Sequence, residues 1–583
     1  MAVTKVEIRT GAYYDSVVLM QLQRNLSDLP GIIDAGVVMG TEANKEVLEV
    51  SDLLTPDVEK ALNDDLVIVI KAEDEDAANA ALGQVDELLA TRRSGGVETE
   101  YLPKSLESAA DMLPDANWVL ISVPGRYAAG VARQALDLNK HVFLYSDNVS
   151  VEDEIELKQK ASDKGLLVMG PDCGTAIVNG VGLGFANRVR RGPIGVVAAS
   201  GTGLQQVTVR IHQKGGGITH ALGTGGRDLS EQVNAITARQ GLDLLSRDPD
   251  TKVIVLVSKP PSPKVAEALL QTARSAGKPV VVDFIGYRPS AWRVDNLHFA
   301  TTFDETAELA IQLAEDSPSG MKNYSFSLRD SGDLDAFAAG QRYLRGLFSG
   351  GTLAYEALLV LQNYLPAVYS NAPLDKKYRL EDSLVSQENS IVDLGEDEFT
   401  VGRLHPMMDN DLRIRRLLAE AEDPEVAVIL LDVVLGDGAH PDPSGELAPA
   451  IAQARTIAQE AGRYLEVVAI VVGTDEDPQD FDRQVELLQE AGARVESSND
   501  GAVRYVGRLI QALNQATADR RPPTAGTPVD LSVLQQPLAA INAGLNSFTE
   551  SVIDQEASAI QVDWKPPAGG NEKLMDILAR LRG

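Results

Sequence analysis

Short apolar runs recur along the chain, most ending at a glycine, proline or small polar turn and giving way to a segment of helical spacing. That alternation predicts parallel sheets covered by helices, an α/β fold class with several domains. Residues 1–92 read as a small α+β domain, with VTKVEIRT, GIIDAGVVMG and DDLVIVIKAE as strands and helices over 16–29 and 74–91. The polar stretch TRRSGGVETE (91–100) reads as a linker. Over 102–190, ANWVLISVPG, HVFLYSDN and GLLVMGPDCG alternate with helices at 127–139 and 151–164, a Rossmann-like unit. The pattern restarts over 192–318 with GPIGVVAASGTG, ITHALGTGG, TKVIVLVSKPP and KPVVVDFIGY. Residues 320–339 lose the periodicity and read as a linker. A last α/β unit spans 340–515, with strands at EVAVILLDVVLG and YLEVVAIVVGT. The Pro-rich RRPPTAGTP (520–528) separates it from a C-terminal segment, 529–583, that contains DWKPPAGGNEK and a terminal amphipathic helix. That segment reads either as an ordered tail or as a dock or cover.

At 583 residues the chain exceeds one core, and about three or four domains are expected. Hydrophobic content of 44% with 24% charged residues is that of an ordinary globular protein. The net charge of −32 argues against a nucleic-acid partner, which demands clustered Lys and Arg. One cysteine excludes a disulfide framework and fits a reducing cytoplasm. MAVTKVEIRTGAYYDS lacks the apolar segment of a signal peptide, and no apolar run approaches the roughly 18 residues of a membrane span. A cytoplasmic protein without membrane attachment is expected.

The strongest chemical signal is VVAASGTGLQQV, where a buried strand delivers the chain to Ser200, Gly201, Thr202 and Gly203 and a helix begins. The first helical turn has unpaired amides and about +0.5 of a charge from the macrodipole, and glycines let an oxyanion approach. A simple Ser/Thr cap on a tight turn explains the same letters. No GKS or GKT follows, so this is not a Walker A loop. A second turn, Gly170-Pro171-Asp172-Cys173-Gly174, closes the preceding strand, and its cysteine is read as a packed thiol more readily than as a nucleophile. Carboxyl ends of strands are where open α/β sheets bind ligands, so Asp172 and Cys173 remain site candidates. In a third turn, Gly225 and Gly226 precede Arg227, which could bind a phosphate or carboxylate, or pair with a surface acid. In the last unit Asp432 lies inside VILLDVVLG, ahead of Gly436, and could orient a metal, a base or a helix start. The six histidines, at 141, 212, 220, 298, 405 and 440, show no metal-ligating spacing, so no metal is expected. His298 could accept a phosphoryl group or simply pack in its loop.

With these residues marked, the chain resembles the FdrA family of acyl-CoA-synthetase-like proteins. The segments that carry the resemblance are DSVVLM (15–20), MGTEANK (39–45), SDNVSVEDEIELK (146–158), KGLLVMGPDCGT (164–175), ASGTG (199–203), GGRDLS (225–230), VSKPP (257–261), SGGTLAYEA (349–357), VGRLHPMMD (401–409) and LLDVVLG (430–436). More distantly it is similar to succinyl-CoA synthetase. That likeness implies a CoA-binding-type Rossmann-like domain over 102–190 and flavodoxin-like ligase-type domains over 192–318 and 340–515. It also implies that Ser200, Gly201 and Thr202 stand where that family aims a helix dipole at a phosphohistidine. His298 sits near the expected place but lacks the Gly-His-Ala-Gly surroundings, and no stretch is left for an ATP-grasp domain.

These departures set two classes of function side by side. In the first, implied by the FdrA resemblance, the chain is a subunit of a carbamoyltransferase of the oxamate type in ureide (allantoin) breakdown. It would move a carbamoyl group between oxamate and phosphate, with carbamoyl phosphate held at two facing helix N-termini, one at 200–203 and one after Leu435. No catalytic residue is assigned, and no cofactor is required. In the second, the chain is an acyl-CoA ligase subunit that binds CoA and needs ATP-grasp on another chain. A scaffold that only positions other subunits is the third reading. All three expect protein partners in a hetero-oligomer.

Overall fold

In a computed structural model the apolar runs become four sheets. The structure describes residues 3–90 apart from 11–15, 28, 41–43, 46–47, 49–52 and 63–64. It also describes 102–314 apart from 288 and 290, 334–514 apart from 339 and 401–403, and 535–565. The linkers expected at 91–100 and 520–528, most of that at 320–339, and the expected terminal helix lie outside the described residues.

The N-terminal unit is an antiparallel sheet with Leu66–Ala72 between Val3–Arg9 and Ile32–Met39. The central strand is apolar throughout because both its faces are covered. Leu66, Ile68 and Ile70 pack with Leu22 and Leu26 of the helix Ser16–Ser27, while Val67 and Val69 meet Leu48, Leu53 and Val58. Side chains close the outer edge of Ile32–Met39, where the Val37 amide donates to Gln23 Oε1 at 3.2 Å and the Ala35 amide to Asp34 Oδ1 at 2.9 Å. An edge plugged in this way resists pairing with another strand.

The next sheet is parallel and five-stranded, in the order Ser558–Val562, Ala539–Ala543, Trp118–Ile121, His141–Leu144, Val168–Met169. Its first two strands come from the C-terminal segment, with Ile541 opposite Val119. Trp118–Ile121 is wholly buried and needs a hydrogen-bonded neighbour on each side, which explains why the tail is drawn in.

An eight-stranded sheet follows, centred on Arg191–Ala199, Val253–Ser258 and Val280–Phe284. The antiparallel hairpin Thr175–Val178 with Val181–Gly184 joins this sheet through Ile177 and Ala221. The sheet boundary therefore falls near residue 170, ahead of the boundary the sequence suggests. The fourth sheet is parallel, in the order Tyr369–Ser370, Ser390–Asp393, Tyr343–Phe348, Val426–Val434, Glu466–Val472, Arg494–Glu496. The architecture is α/β, a Rossmann-like sheet plus two flavodoxin-like units and a small N-terminal domain.

The last two units share one apolar core, which includes Val196, Val207, Leu353, Leu358, Val428 and Ile470. The helix Gly201–Gln213 is buried between them almost along its whole length. Several of its polar side chains find partners, in its own unit or across the joint. Gln206 donates to the Ser497 carbonyl at 3.1 Å, Arg210 to Asp304 at 2.7 Å, and Gln213 to the Gly473 carbonyl at 2.8 Å. Buried polar groups are tolerated only when paired in this manner.

Candidate active site

Two strands end side by side at the joint, and each opens a helix. Arg191–Ala199 leads to Ser200, whose backbone is extended and whose Oγ accepts the Gly203 amide at 3.0 Å, capping the Gly201 helix. Tyr343–Phe348 leads through Ser349 and Gly350 to the helix Gly351–Leu361. Ser200 donates its hydroxyl to Thr352 Oγ1, and the Thr352 amide donates to Thr202 Oγ1 at 3.3 Å. The second facing helix start is thus at Gly351. The helix that follows Leu435 begins at Pro443 under its own cap, Asp442, which accepts the Gly445 amide at 3.2 Å.

Asp432 takes the helix-start role among the three its position left open. From inside Val426–Val434 its carboxylate accepts the Ser349 amide at 2.7 Å, the Gly350 amide at 2.9 Å and the Ser349 hydroxyl at 3.0 Å. The Gly351 helix therefore carries a built-in anion. The amides of Gly201 and Thr202 take no partner among the described residues.

A cavity of about 940 Å³ opens onto this joint. Of the residues marked in sequence, Asp172, Cys173, Ser200, Gly201, Thr202, Gly225, Gly226 and Arg227 line it. Gly203 and Gly436 do not. Gly203 is spent on the cap, and Gly436 donates its amide to Gln479 at 2.9 Å beside Ala186. Around Gly436 the two units are clamped, with Arg188 paired to Asp437 through contacts of 2.9 and 2.8 Å. His298 lies on the strand Leu297–Phe299, outside the lining. The sequence reading missed Lys259, Thr352, Asp393, Asp147, Asp397 and His405, all of which line the cavity. Gln23, Val37, Val38, Met39 and Asn44 of the N-terminal domain form a further wall.

The three glycine turns meet here. Gly225 has φ +87°, and a Cβ on it would stand 2.3 Å from the Pro171 carbonyl oxygen, so only glycine lets the two turns touch. Beneath them Lys158, fully buried, donates to Glu154 at 2.8 Å, to Asp228 at 2.7 Å and to the Thr224 carbonyl at 3.0 Å. Asp228 also accepts the amides of Thr237 and Ala238, at 3.3 and 2.9 Å. Arg227 reaches Glu154 at 3.0 Å and the Val149 carbonyl at 2.7 Å, so much of its guanidinium is committed to protein.

The lining is rich in carboxylates. Burial pushes Asp172 up to about 7, with Asp147 and Asp397 adding to the rise and Lys259 and Arg227 opposing it. Its side chain is exposed to the cavity while lying deep within the fold. Asp393 is likewise raised to about 7 by burial, against the pull of Lys259, and its Oδ1 accepts the Gly395 amide at 2.9 Å. Burial also raises Asp147. The Cys173 thiol is pushed up to about 12 by burial and contacts the Thr175 carbonyl at 3.6 Å, which leaves it a packing group. Burial lowers His405 to about 4, with Arg413 adding to the effect. Among the described residues no group of three or more His, Cys, Asp or Glu side chains is placed to hold a metal ion.

Comparison with known proteins matches three stretches of the chain, and the CoA-binding match lies on the unit that the succinyl-CoA-synthetase likeness gave as ligase-type, not on 102–190. Residues 1–102 match the family described as AllF, heavy metal-associated domain, residues 190–286 the CoA binding domain, and residues 347–509 the CoA-ligase family. The Escherichia coli protein YahF is 44% identical over 497 residues, covering 85% of this chain and 96% of YahF. The chain belongs to the YahF family. This is an FdrA-like, succinyl-CoA-synthetase-like family. The alpha subunit of the ADP-forming succinate–CoA ligase of Aquifex aeolicus is 29% identical over 34% of this chain and 65% of its own length. Subunit SauD of the ADP-forming sulfoacetate-CoA ligase of Bilophila wadsworthia is 26% identical over 30% of this chain and 60% of its own. Against the solved apo acetyl-coenzyme A synthetase 1 of Ca. Korarchaeum cryptofilum, identity is 16% at a TM-score of 0.28, over 69% of this chain and 84% of that one. Despite the heavy-metal name of its match, the segment 1–102 of this YahF-family chain contains neither cysteine nor histidine.

Proposed function

We propose that the chain is the acyl-handling subunit of a CoA-ligase-type enzyme, holding an acyl phosphate at the Ser200–Thr352 joint and exchanging its acyl group with CoA. The observation that carries this reading is the pair of unpartnered amides at Gly201 and Thr202, which head a buried helix and border the cavity. Such amides, with about +0.5 of a charge behind them, suit the oxygens of a phosphoryl group and act where charge develops during transfer. The CoA-binding and CoA-ligase matches support CoA as acceptor. The turn at Ser122, Gly125 and Arg126 lines the same cavity as Ser200, so one extended molecule can touch both.

A second reading, carbamoyl phosphate as the acyl phosphate and oxamate as acceptor, is favoured by two observations. One is the AllF match over 1–102. The other is the ring of acids, Asp147, Asp172, Asp393 and Asp397, which can accept from a carbamoyl N–H₂ that other acyl groups lack. Either reading leaves room for partner subunits, since the ligase relatives are themselves named as subunits.

Calorimetry on the purified chain with inorganic phosphate, acetyl phosphate, carbamoyl phosphate, oxamate and CoA tests both. Binding of acetyl phosphate and CoA is expected. Binding of carbamoyl phosphate and oxamate without CoA would move the assignment to the carbamoyltransferase, and binding of none of them would sink both.

A further inference from the structure

We propose that Lys259 is the cation that holds the phosphate during acyl transfer, and that no histidine lining the site carries the phosphoryl group. The inference rests on the acyl-phosphate reading given under Proposed function.

Lys259 follows the strand Val253–Ser258, in which Ser258 lies opposite Ala199 of the neighbouring strand. Its backbone therefore stands beside Ser200, at the start of the first helix. Its ammonium reaches the second, because a Cβ on Gly351 would stand 3.4 Å from Nζ. The same Cβ would stand 2.2 Å from Asp393 Oδ2, so glycine at 351 keeps open the space where the ammonium, the carboxyl and the helix start converge. The Lys259 ammonium takes part in no hydrogen bond or ion pair among the described residues, although it faces a cavity bordered by acids. Its charge acts on Asp172 and Asp393 through space, but no carboxylate oxygen among the described residues lies within ion-pair distance of it. The ammonium is left to an incoming anion.

His298 lies outside the cavity lining, and the Nδ1 atoms of the other five histidines are set against a covalent role. A phosphoryl acceptor at Nε2 needs that nitrogen bare, with the proton on Nδ1. His405, which lines the cavity, accepts the Met407 amide at Nδ1, 3.2 Å away, which places the proton on Nε2. The same arrangement recurs at His141, His212, His220 and His440, whose Nδ1 atoms accept the amides of Leu167, Arg190, Asn179 and Asp442.

The step then balances without an enzyme intermediate. The thiol sulfur attacks the carbonyl carbon of the acyl phosphate, the C–S bond forms, and the C–O bond to phosphorus breaks with its electron pair leaving on phosphate. The thiol proton passes by way of the Asp172 carboxylate to the departing oxygen, giving hydrogen phosphate beside Lys259.

The test uses the full chain, with calorimetric titration of inorganic phosphate and acetyl phosphate into wild type, Lys259→Met and Lys259→Arg, and phosphorus-32 acetyl phosphate as a label. At least a tenfold loss of affinity in Lys259→Met, recovery in Lys259→Arg, and no acid-labile, base-stable label on protein are expected. Circular dichroism establishes that each variant is folded, and Lys259→Gln replaces the methionine variant should that one fail to fold. Unchanged affinity in a folded Lys259→Met or Lys259→Gln, or a labelled histidine in wild type, overturns the inference and leaves the acyl-phosphate reading standing. Failure of wild type to bind either phosphate compound overturns both.

Discussion

Ser200 donates its hydroxyl to Thr352 while accepting the amide of Gly203, so one side chain caps the first helix and ties it to the start of the second. The candidate site is built on that tie. Ser200→Ala removes a helix cap and a contact between units. A loss of about 1 kcal/mol is expected from the cap, read as a lower denaturation midpoint, together with weaker phosphate binding. Unchanged phosphate affinity in the folded variant would show that the anion site does not depend on this tie.

Asp172 and Asp393, both raised to about 7, predict how anion binding depends on pH. Each carboxyl is largely protonated at pH 6 and largely ionised at pH 8. A bound anion favours the protonated form, so binding takes up protons and weakens as pH rises through 7. With sulfate as a probe that does not titrate in this range, affinity is expected to fall about five- to tenfold per coupled carboxyl between pH 6 and 8. Asp172→Asn should flatten the profile. An affinity that rises with pH would contradict this account.

Lys158 sits between Glu154 and Asp228 with all three side chains buried. Lys158→Met leaves Asp228 without its ion-pair partner and Glu154 with Arg227 alone, and should cost about 3–5 kcal/mol. Chemical denaturation measures this, and Lys158→Met with Glu154→Gln should regain part of the loss. Because Asp228 also holds the Thr237 and Ala238 amides, the turn carrying Gly225 and Arg227 should become more open to proteolysis in the single variant.

Cys173 should be inert. Burial raises its thiol to about 12, and the sulfur faces the Thr175 carbonyl. Alkylation with iodoacetamide at pH 8 is expected to be negligible in the native chain and complete in denaturant. Rapid native labelling would return the thiol to the list of reactive groups.

Much of this arrangement is legible in the residues themselves. VVAASGTG and VIVLVSK declare buried strands because each apolar run is bounded by small or polar turn residues, and Ser200 reads as a cap from the letters that follow it. The Gly351 helix start escapes because its strand, YLRGLF, carries a charge. Arg345 is buried there and paired to Glu420 at 2.9 Å and Asp423 at 2.7 Å, which disguises a core strand. The stronger apolar run ending at Leu435 attracts the assignment instead, and its turn is spent on the Arg188–Asp437 clamp. The hairpin Thr175–Val178 with Val181–Gly184 turns on Asn179-Gly180, a pair that favours reversal, but its preference for the following sheet is a matter of tertiary pairing. Lys259 and Asp393 come from different units, and no local pattern announces that they share a wall.

The pairing of Ala539–Ala543 with Trp118–Ile121 has a consequence for how the molecule is made. A ribosome emits the central strand of the five-stranded sheet long before its neighbour exists, so throughout synthesis one side of that strand waits bare. Chains released early, before Ala539, would carry an apolar ribbon with open hydrogen-bonding groups, a template for clumping. Trimming this protein from its carboxyl end would remove a structural wall, and a circular permutant that joins the last strands directly ahead of residue 102 should fold faster than the natural order.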